Sequence, residues 1–507
     1  MKIMFVLQRR FAYVGHAIAV GLKNNFNIKD FCAYVELEES LNFLKSQTEI
    51  QYSNFITYED LHHSYKNESL DIEYIKKLEK DIGLPNLWPY IEIDRIIRYG
   101  QHAREYPHEE TPYTHEEMLR IIQAEAKLID NFLDREKPDA LITSVVIDTS
   151  TMLLWHIAKS RGIKTFFIQT ARTEGRYGLT EEYGTLSFVV ELFKKLREKS
   201  VDLPEEKKVA TKFLGNFRAR PSPAAWIDTP NARPIDRKRQ FKFLRPDKFP
   251  KTVYWFFKTS FEFFFGHRGI SDELIKKPWF WLWDRLVRKI RVLRGFEDLY
   301  DKIDALEDYA FYPLQMEPEM SLSLFSPFYK DQLWLAKQIA NSLPVYYKLY
   351  IKEHPAMVGF RPRKYYEELK KIPNVKLIHP ALVSFNLTIN AKIVLTPAGT
   401  AAWEAALFKI PAVTFGNAFF NVLSSIKQCR AIGDLSQIIS GQLYNFHYSE
   451  EEIVDLLTAI FKGTVELDLV KIWNVDGGSF MDEKKEVLLP FVNLLAKTLG
   501  LTKNNSK

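Results

Sequence analysis

Between residues 309 and 416 one pattern repeats: a short apolar run, a segment with helical spacing, then another apolar run. "DYAFYPLQM", "VYYKLYIKEHP", "NVKLIHP", "AKIVLTPAG" and "PAVTFG" read as strands, and "DQLWLAKQIANSL", "RKYYEELKKI" and "TAAWEAALFKI" as the helices between them. Short apolar strands alternating with helices imply a parallel sheet with both faces covered. This half of the chain is therefore expected to be a doubly wound α/β unit.

The first 185 residues carry a less regular version. "KIMFVL", "KPDALITSVV" and "IKTFFIQT" read as strands, "GHAIAVGLKNNF" as a helix, and "TSTMLLWHIAKSRG" as a helix ending on Gly162. Between residues 41 and 135 mostly polar segments such as "THEEMLRIIQAEAKLIDNFLDRE" predict inserted helices covering that sheet. A chain of 507 residues exceeds one typical core, so two domains are expected. The division read from the sequence is a Rossmann-like domain at 1–190 and a basic, aromatic insertion at 191–305. A second Rossmann-like domain follows at 306–445, and helices with a short polar tail at 446–507 are free to pack on either domain. Two such units facing each other leave a cleft at the C-terminal ends of their strands, where ligands of these sheets sit.

Composition narrows the setting. Only Cys32 and Cys429 are present, far apart, which gives neither a metal-ligand pair nor a disulfide framework and suits a reducing cytoplasm. The opening apolar run is short and followed by two arginines, so it reads as a strand rather than a secretory signal. The longest apolar stretch, "VYWFFKTSFEFFFG", is interrupted by Lys258 and Glu262 and falls short of the ~20 residues of a spanning helix. The net charge of +6 conceals an asymmetry: residues 233–294 hold 17 Lys or Arg against 6 Asp or Glu, 17 − 6 = +11. Cations mixed with Phe and Trp there suit a surface lying on anionic lipid, and equally a core between domains with a solvated basic rim. Nucleic acid is disfavoured, because no RNA-binding motif accompanies the charge.

"LTPAGTAAWEAALFKIPAVTFG" places Gly399 and Thr400 in a tight turn whose N–H groups and following helix favour an anion. Glu404 lies one turn in, where its carboxylate can accept two hydrogen bonds from a ribose diol; its ordinary role would be a first-turn charge favoured by the helix dipole. "LYIKEHPAMVGFRPRKYYEEL" gathers Lys352, His354, Arg361 and Arg363 at a strand end, a set suited to a diphosphate or a phosphate-linked sugar, or else a solvated basic loop. His354 can also give a proton to a leaving phosphate. "FYPLQMEPEMSL" sets Gln315, Glu317 and Glu319 after a strand, with Glu317 and Glu319 on one side if extension persists past Pro318.

In the first unit, Gly15 and His16 fall at the expected start of the first helix, facing the cleft. His16 could be a general base for an acceptor hydroxyl, or simply a histidine satisfied by backbone. "FIQTARTEGRYG" ends a strand with Gln169, Arg172, Glu174 and Arg176, making Glu174 a competing base and Arg172 an anchor for an acidic acceptor; Asp148 is a further carboxylate at a strand end on the acceptor side. No GxxxxGK[ST], complete GxGxxG after the first strand, HExxH or GxSxG is present, and no carboxylate pair suited to a catalytic divalent metal follows a strand. Metal-independent chemistry is expected.

"PLQMEPE", "YIKEHP" followed by "GFRPRKYYEEL", and "TPAGTAAWEAALFKIPAVTFG" resemble the C-terminal half of capsular polysaccharide biosynthesis glycosyltransferases, including the Kdo-transferase relatives, over residues 309–416. The His-Pro after a strand and the small-residue turn leading to a helical Glu are also similar to sialyltransferases and wall teichoic acid polymerases. The resemblance implies a GT-B fold of two Rossmann-like domains around a cleft. It implies a nucleotide-sugar donor, a CMP- or UDP-sugar, on the C-terminal domain: His354 near the phosphate, Thr396 to Thr400 cradling it, Glu404 near the ribose. Gln315, Glu317, Lys352 and Arg361 would complete that donor site, and Arg172 and Asp148 would serve the acceptor, a surface or lipid-linked glycan. No cofactor other than the donor substrate is expected, and the setting is the cytoplasm or the inner face of the cell membrane. A nucleotide-sugar 2-epimerase, a polyol-phosphate transferase of the teichoic acid type and a non-catalytic assembly subunit are the alternatives.

Overall fold

A computed structural model describes residues 1–8, 11–99, 111, 113–144, 148–222, 241, 245–265, 278–317, 319–467 and 485–502. The arginine pair after the first strand, residues 223–240, 242–244 and 266–277 of the basic insertion, Pro318 and the end of the polar tail lie outside them.

Two open sheets organise the chain. The first contains β1 (Lys2–Leu7), β2 (Asp30–Val35), β3 (Tyr52–Thr57), β4 (Ala140–Thr143), β5 (Lys164–Thr170), β6 (Arg176–Thr180) and β13 (Thr464–Glu466), in the order β13-β6-β5-β4-β1-β2-β3. β3, β2, β1, β4 and β5 are parallel; β6 and β13 add an antiparallel edge. The second contains β7 (Tyr309–Pro313), β8 (Lys348–Lys352), β9 (Val375–Ile378), β10 (Ile393–Thr396), β11 (Ala412–Thr414) and β12 (Ile426–Gln428), all parallel, in the order β12-β11-β10-β7-β8-β9. These are the two doubly wound units that the alternation implied, in the GT-B-type arrangement that the resemblance implied.

Side-chain alternation shows why the strands read as continuous apolar runs. In β7, Tyr309 and Phe311 enter one apolar cluster with Tyr350 and Val394, while Ala310 and Tyr312 enter another with Leu349, Ile351 and Leu395. Both faces are covered, so polar residues have no place at either parity.

Chain order reverses between β1 and β4 in the first sheet and between β7 and β10 in the second. Such reversals open a crevice beyond the carboxyl ends of the flanking strands. Asp148 marks one, capping the helix Thr149–Ser160 through Thr151 N at 2.7 Å; the Gly399 turn, entering the helix Thr400–Leu407, marks the other.

Two expectations need correction, and the packing left open for the last segment takes a definite form. The segment at 41–135 is not all helical: it contains β3, whose "YSNFIT" is half exposed at a sheet edge and lacks the apolar continuity of the inner strands. The first helix begins at Phe11, so His16 lies more than a turn inside it. The last segment divides its packing: the helix Glu450–Gly463 packs on the helices Ser187–Arg197 and Pro204–Ala219, within the apolar cluster that also takes in β7 and β10, β13 joins the first sheet, and the helix Lys485–Leu499 packs on the helix Phe11–Phe26. The chain thus returns to its first domain, and buried Asp455 ties the crossing by accepting from Arg197 at 2.9 Å and pairing with Lys207 at 3.1 Å.

Candidate functional site

The carboxyl ends of β7, β8 and β10 converge on the turn before the helix Thr400–Leu407. Thr396 is fully buried and its Oγ1 accepts the Gly399 N–H at 3.1 Å, closing the turn. A Cβ at Gly399 would lie 2.6 Å from that oxygen and 2.8 Å from Gln315 Nε2, so a side chain here would push the turn apart. Gly399 caps the helix without a side chain, leaving the first-turn N–H groups beyond it to be met from outside.

Three charged groups meet at this turn. Lys352 ends β8, is 5% exposed and donates from Nζ to Ser384 Oγ at 3.0 Å; burial lowers its pKa to about 8 against the opposing pull of Glu353 and Glu404. Arg172 reaches across from the first domain, donates from Nη1 to the carbonyl of Ala398 at 2.5 Å, and lies over the Phe420 ring at 5.4 Å. Its pKa falls to about 10 through burial, with Glu319 and Glu404 acting against the shift. Glu404 is raised to about 7 by burial, although Lys352 and Arg172 favour its charged form. Among the described residues the Glu404 carboxylate has no hydrogen bond or ion pair of its own, so two cations hold it electrostatically at the cleft without occupying its oxygens.

His354 follows Lys352 at the same strand end and feels its charge. Its Nδ1 accepts the Ala356 N–H at 3.2 Å, which requires the neutral ring to carry its proton on Nε2, and burial lowers its pKa to about 4. The ring is a fixed, neutral donor.

The remaining expected residues separate into other roles. Arg361 is fully buried, with Nη1 on Glu353 Oε2 at 2.5 Å and Nη2 on Glu317 at 3.2 Å and on the Gln315 carbonyl at 2.8 Å. It braces the loop from inside, with both terminal nitrogens on protein oxygens. Glu317 turns inward to Arg361, whereas Glu319 faces Arg172, so the two do not share a side. Gln315 is held by Gln332, with its N–H on Oε1 at 2.6 Å, and lies against the turn through Nε2 and Thr396 Oγ1 at 3.3 Å. Thr400 opens the helix, half-buried at the cleft.

On the acceptor side, His16 is fully buried against Tyr52 at 3.1 Å, beside the first residue of β3 and therefore at the sheet end away from the cleft. Desolvation holds its pKa near 4. Glu174 sits on an exposed turn with a left-handed φ of 43°, near Glu466 and Arg176. Asp148 is spent on its helix cap and accepts from Gln8 Nε2 at 2.9 Å. Of the first-domain residues singled out, Arg172 is the one placed with the second-domain cluster. Sequence reading missed Ser384, which fixes Lys352, and Phe420, which supports Arg172; each follows a strand, the position at which ligand-facing residues of parallel sheets collect.

No group of three or more His, Cys, Asp or Glu side chains suited to a metal gathers among the described residues. None of their helices is long and apolar enough to cross a membrane.

A family model described as "Capsule polysaccharide biosynthesis protein" matches residues 266–429. Protein FixF of Sinorhizobium fredii (strain NBRC 101917 / NGR234) is 25% identical over 153 residues, 29% of this chain and 36% of that protein. The match thus spans about a third of that relative's length. Among solved structures, the β-Kdo 2,4 transferase KpsC of Thermosulfurimonas dismutans is similar at 12% identity, covering 64% of this chain and 80% of its own, with a TM-score of 0.37. A UDP-GlcNAc 2-epimerase from Neisseria meningitidis, bound to UDP-GlcNAc, is similar at 12% identity, covering 98% and 100%, with a TM-score of 0.23.

Proposed function

We propose that this chain acts on a nucleotide-activated sugar and transfers the sugar to a hydroxyl of a growing surface polysaccharide or lipid-linked glycan. The observation that carries this reading is the Glu404 carboxylate, half-buried and without a hydrogen bond among the described residues, with the charges of Lys352 and Arg172 acting on it. A nucleoside phosphate needs such a pairing of opposite functions: an acceptor for ribose hydroxyls and donors for phosphate oxygens. Glu404 supplies the first; Lys352, His354 and the N–H groups of the helix Thr400–Leu407 supply the second.

In the transfer, the acceptor hydroxyl oxygen forms a bond to the anomeric carbon while the sugar–phosphate bond breaks, the phosphate leaves with the electron pair, and the hydroxyl proton passes to that departing phosphate or to water. Lys352 and His354 would stabilise that departing charge, which grows in the transition state and so lowers the barrier. The match to the capsule biosynthesis family supports a polysaccharide product.

A second reading has its own observation. A carboxyl near pKa 7 beside a lysine near 8 is an acid–base pair able to remove and return a proton on the bound sugar, as a nucleotide-sugar 2-epimerase requires. One experiment separates the readings. Thermal shifts against CMP, CDP, UDP, GDP and their sugars identify the nucleotide, and the responding nucleotide sugar is then incubated in D2O with and without acceptor glycan. Nucleotide release that increases with acceptor supports transfer. Deuterium at the sugar C2 without acceptor dependence supports epimerisation. Absence of any nucleotide response defeats both and leaves an assembly role.

A further inference from the structure

The helices Phe249–Phe265 and Pro278–Arg294 pair side by side: Phe264 approaches Trp279 at 6.4 Å and Arg285 lies over the Trp255 ring at 5.8 Å, so they run antiparallel. Tyr254, Phe257, Phe261, Phe264 and Phe265 recur at helical spacing on the first, and Trp279, Leu282, Trp283, Leu286, Ile290 and Leu293 on the second. All are exposed, Phe265 at 76% and Trp283 at 62%. The alternative in which these aromatics form a core between domains does not hold for them. Water-facing apolar surface of this extent marks an interaction face.

We propose that this paired face lies on an anionic lipid bilayer, both helices parallel to the membrane plane. Charge selects the occupant. The two helices, residues 249–265 and 278–294, hold 7 Lys or Arg against 2 Asp or Glu, 7 − 2 = +5, so two copies of this face repel each other while a negatively charged leaflet attracts it. At the base of the pair a cavity of ≈ 420 Å³ is lined by Asp247, Lys248, Lys251, Thr252, Trp255 and Arg285. Three cations face one carboxylate there, and Asp247 is paired with Arg245 at 3.2 Å, which leaves a basic, aromatic-walled recess suited to a lipid phosphate. Neither helix is long and apolar enough to span, so binding is in-plane.

The pair is fixed to the second domain. Val292 is buried against Gly359, where φ is +86° and a Cβ would come within 2.6 Å of Val292 Cγ2. Arg291 donates to the Phe360 carbonyl, and Arg288 lies over the Phe360 ring at 4.5 Å. This loop joins His354 to Arg361, so a docked hairpin would hold the cleft at a set height and angle to the bilayer.

Flotation of the full chain with phosphatidylcholine vesicles, with and without phosphatidylglycerol, tests the proposal. The expected result is flotation with the phosphatidylglycerol vesicles alone, weakening as salt rises. Phe261→Glu with Trp283→Glu should cut the bound fraction about tenfold or more, as should Lys251→Glu with Arg285→Glu, both without lowering the unliganded melting temperature. A wild-type chain that fails to float on anionic vesicles overturns the proposal, as does undiminished flotation of both double variants. A dimer that Phe261→Glu with Trp283→Glu dissociates, with no vesicle binding, would assign the face to a second copy instead. Calorimetric nucleotide binding by the same proteins keeps a failure here distinct from a failure of the sugar reading.

Discussion

Arg172 Nη1 donates to the carbonyl oxygen of Ala398 at 2.5 Å, so a side chain of the first domain holds the turn that launches the Glu404 helix. Its backbone adopts a left-handed φ of 54°, and its own N–H is held by Thr170 Oγ1 at 3.0 Å. The domain seam and the candidate donor site therefore share one guanidinium.

Replacing Arg172 with alanine removes a charge-assisted hydrogen bond and the contact with Phe420. The expected cost is about 2 kcal/mol of stability, read as a lowered urea midpoint, together with weaker nucleotide binding because the turn loses its brace. An unchanged midpoint would show that the seam is held elsewhere.

Glu404 should give the protein a pH-dependent stability opposite in sign to that of a salt-bridged carboxylate. Its carboxyl is raised from 4.5 to about 7, so the folded state binds more protons than the unfolded state between those values. The stabilising contribution is complete below the unfolded value and is lost as pH rises through about 7. Glu404→Gln should remove a slope on the order of 2–3 kcal/mol across that window, measured by urea titration at several pH values.

Nucleotide affinity should pass through a maximum with pH. A ribose diol donates to the charged carboxylate, so binding strengthens as Glu404 ionises near 7; phosphate needs the Lys352 ammonium, so binding weakens as that proton leaves near 8. Glu404→Gln should abolish the rising limb and Lys352→Met the falling one, each read by calorimetry. A flat profile in the wild type would remove both groups from the ligand.

His354 offers a way to separate folding from chemistry. His354→Asn keeps a side-chain acceptor for the Ala356 N–H but loses the Nε2 donor, so melting should stay unchanged while turnover falls on the order of a hundredfold. His354→Ala should add a stability loss of about 1 kcal/mol, as expected for a missing cap. Equal turnover in wild type and Asn variant would place the phosphate elsewhere.

Arg361 should behave as a structural ion. Arg361→Met leaves Glu353 buried beside Glu317 without its main counter-charge, at an expected cost of about 3–5 kcal/mol in urea denaturation. Neutralising Glu353 as well, with Glu353→Gln, should restore part of that loss, because the uncompensated charge is then gone. A single variant of wild-type stability would mean that Glu353 finds another partner.

Much of this architecture is legible in the chain itself. The inner strands β1, β7, β8 and β10 announce themselves because both their faces are covered and every position must be apolar. β3 and β6 do not, since a strand near an edge can be polar on one face, and β13 is three residues long with its partner nearly three hundred residues upstream. The Gly399 turn and Glu404 were visible for a similar local reason: small residues between a buried strand and a helix leave room for a ligand.

What sequence alone determined was therefore whatever depends on neighbours along the chain: the strand–helix alternation, two α/β units, the turn at Gly399 and the basic character of residues 233–294. Only the tertiary structure decided which charges face the cleft. Lys352 and Arg361 stand nine positions apart and look interchangeable as phosphate donors, yet one is set against Ser384 and Glu404 and the other is sealed against Glu353 and Glu317. A buried cation goes where an opposite charge can offset its lost hydration, and those partners come from other strands and helices. The same rule left Arg172 at the seam near Glu319 and Glu404, while His16, neutral once buried, needed only the Tyr52 hydroxyl to sit in the core.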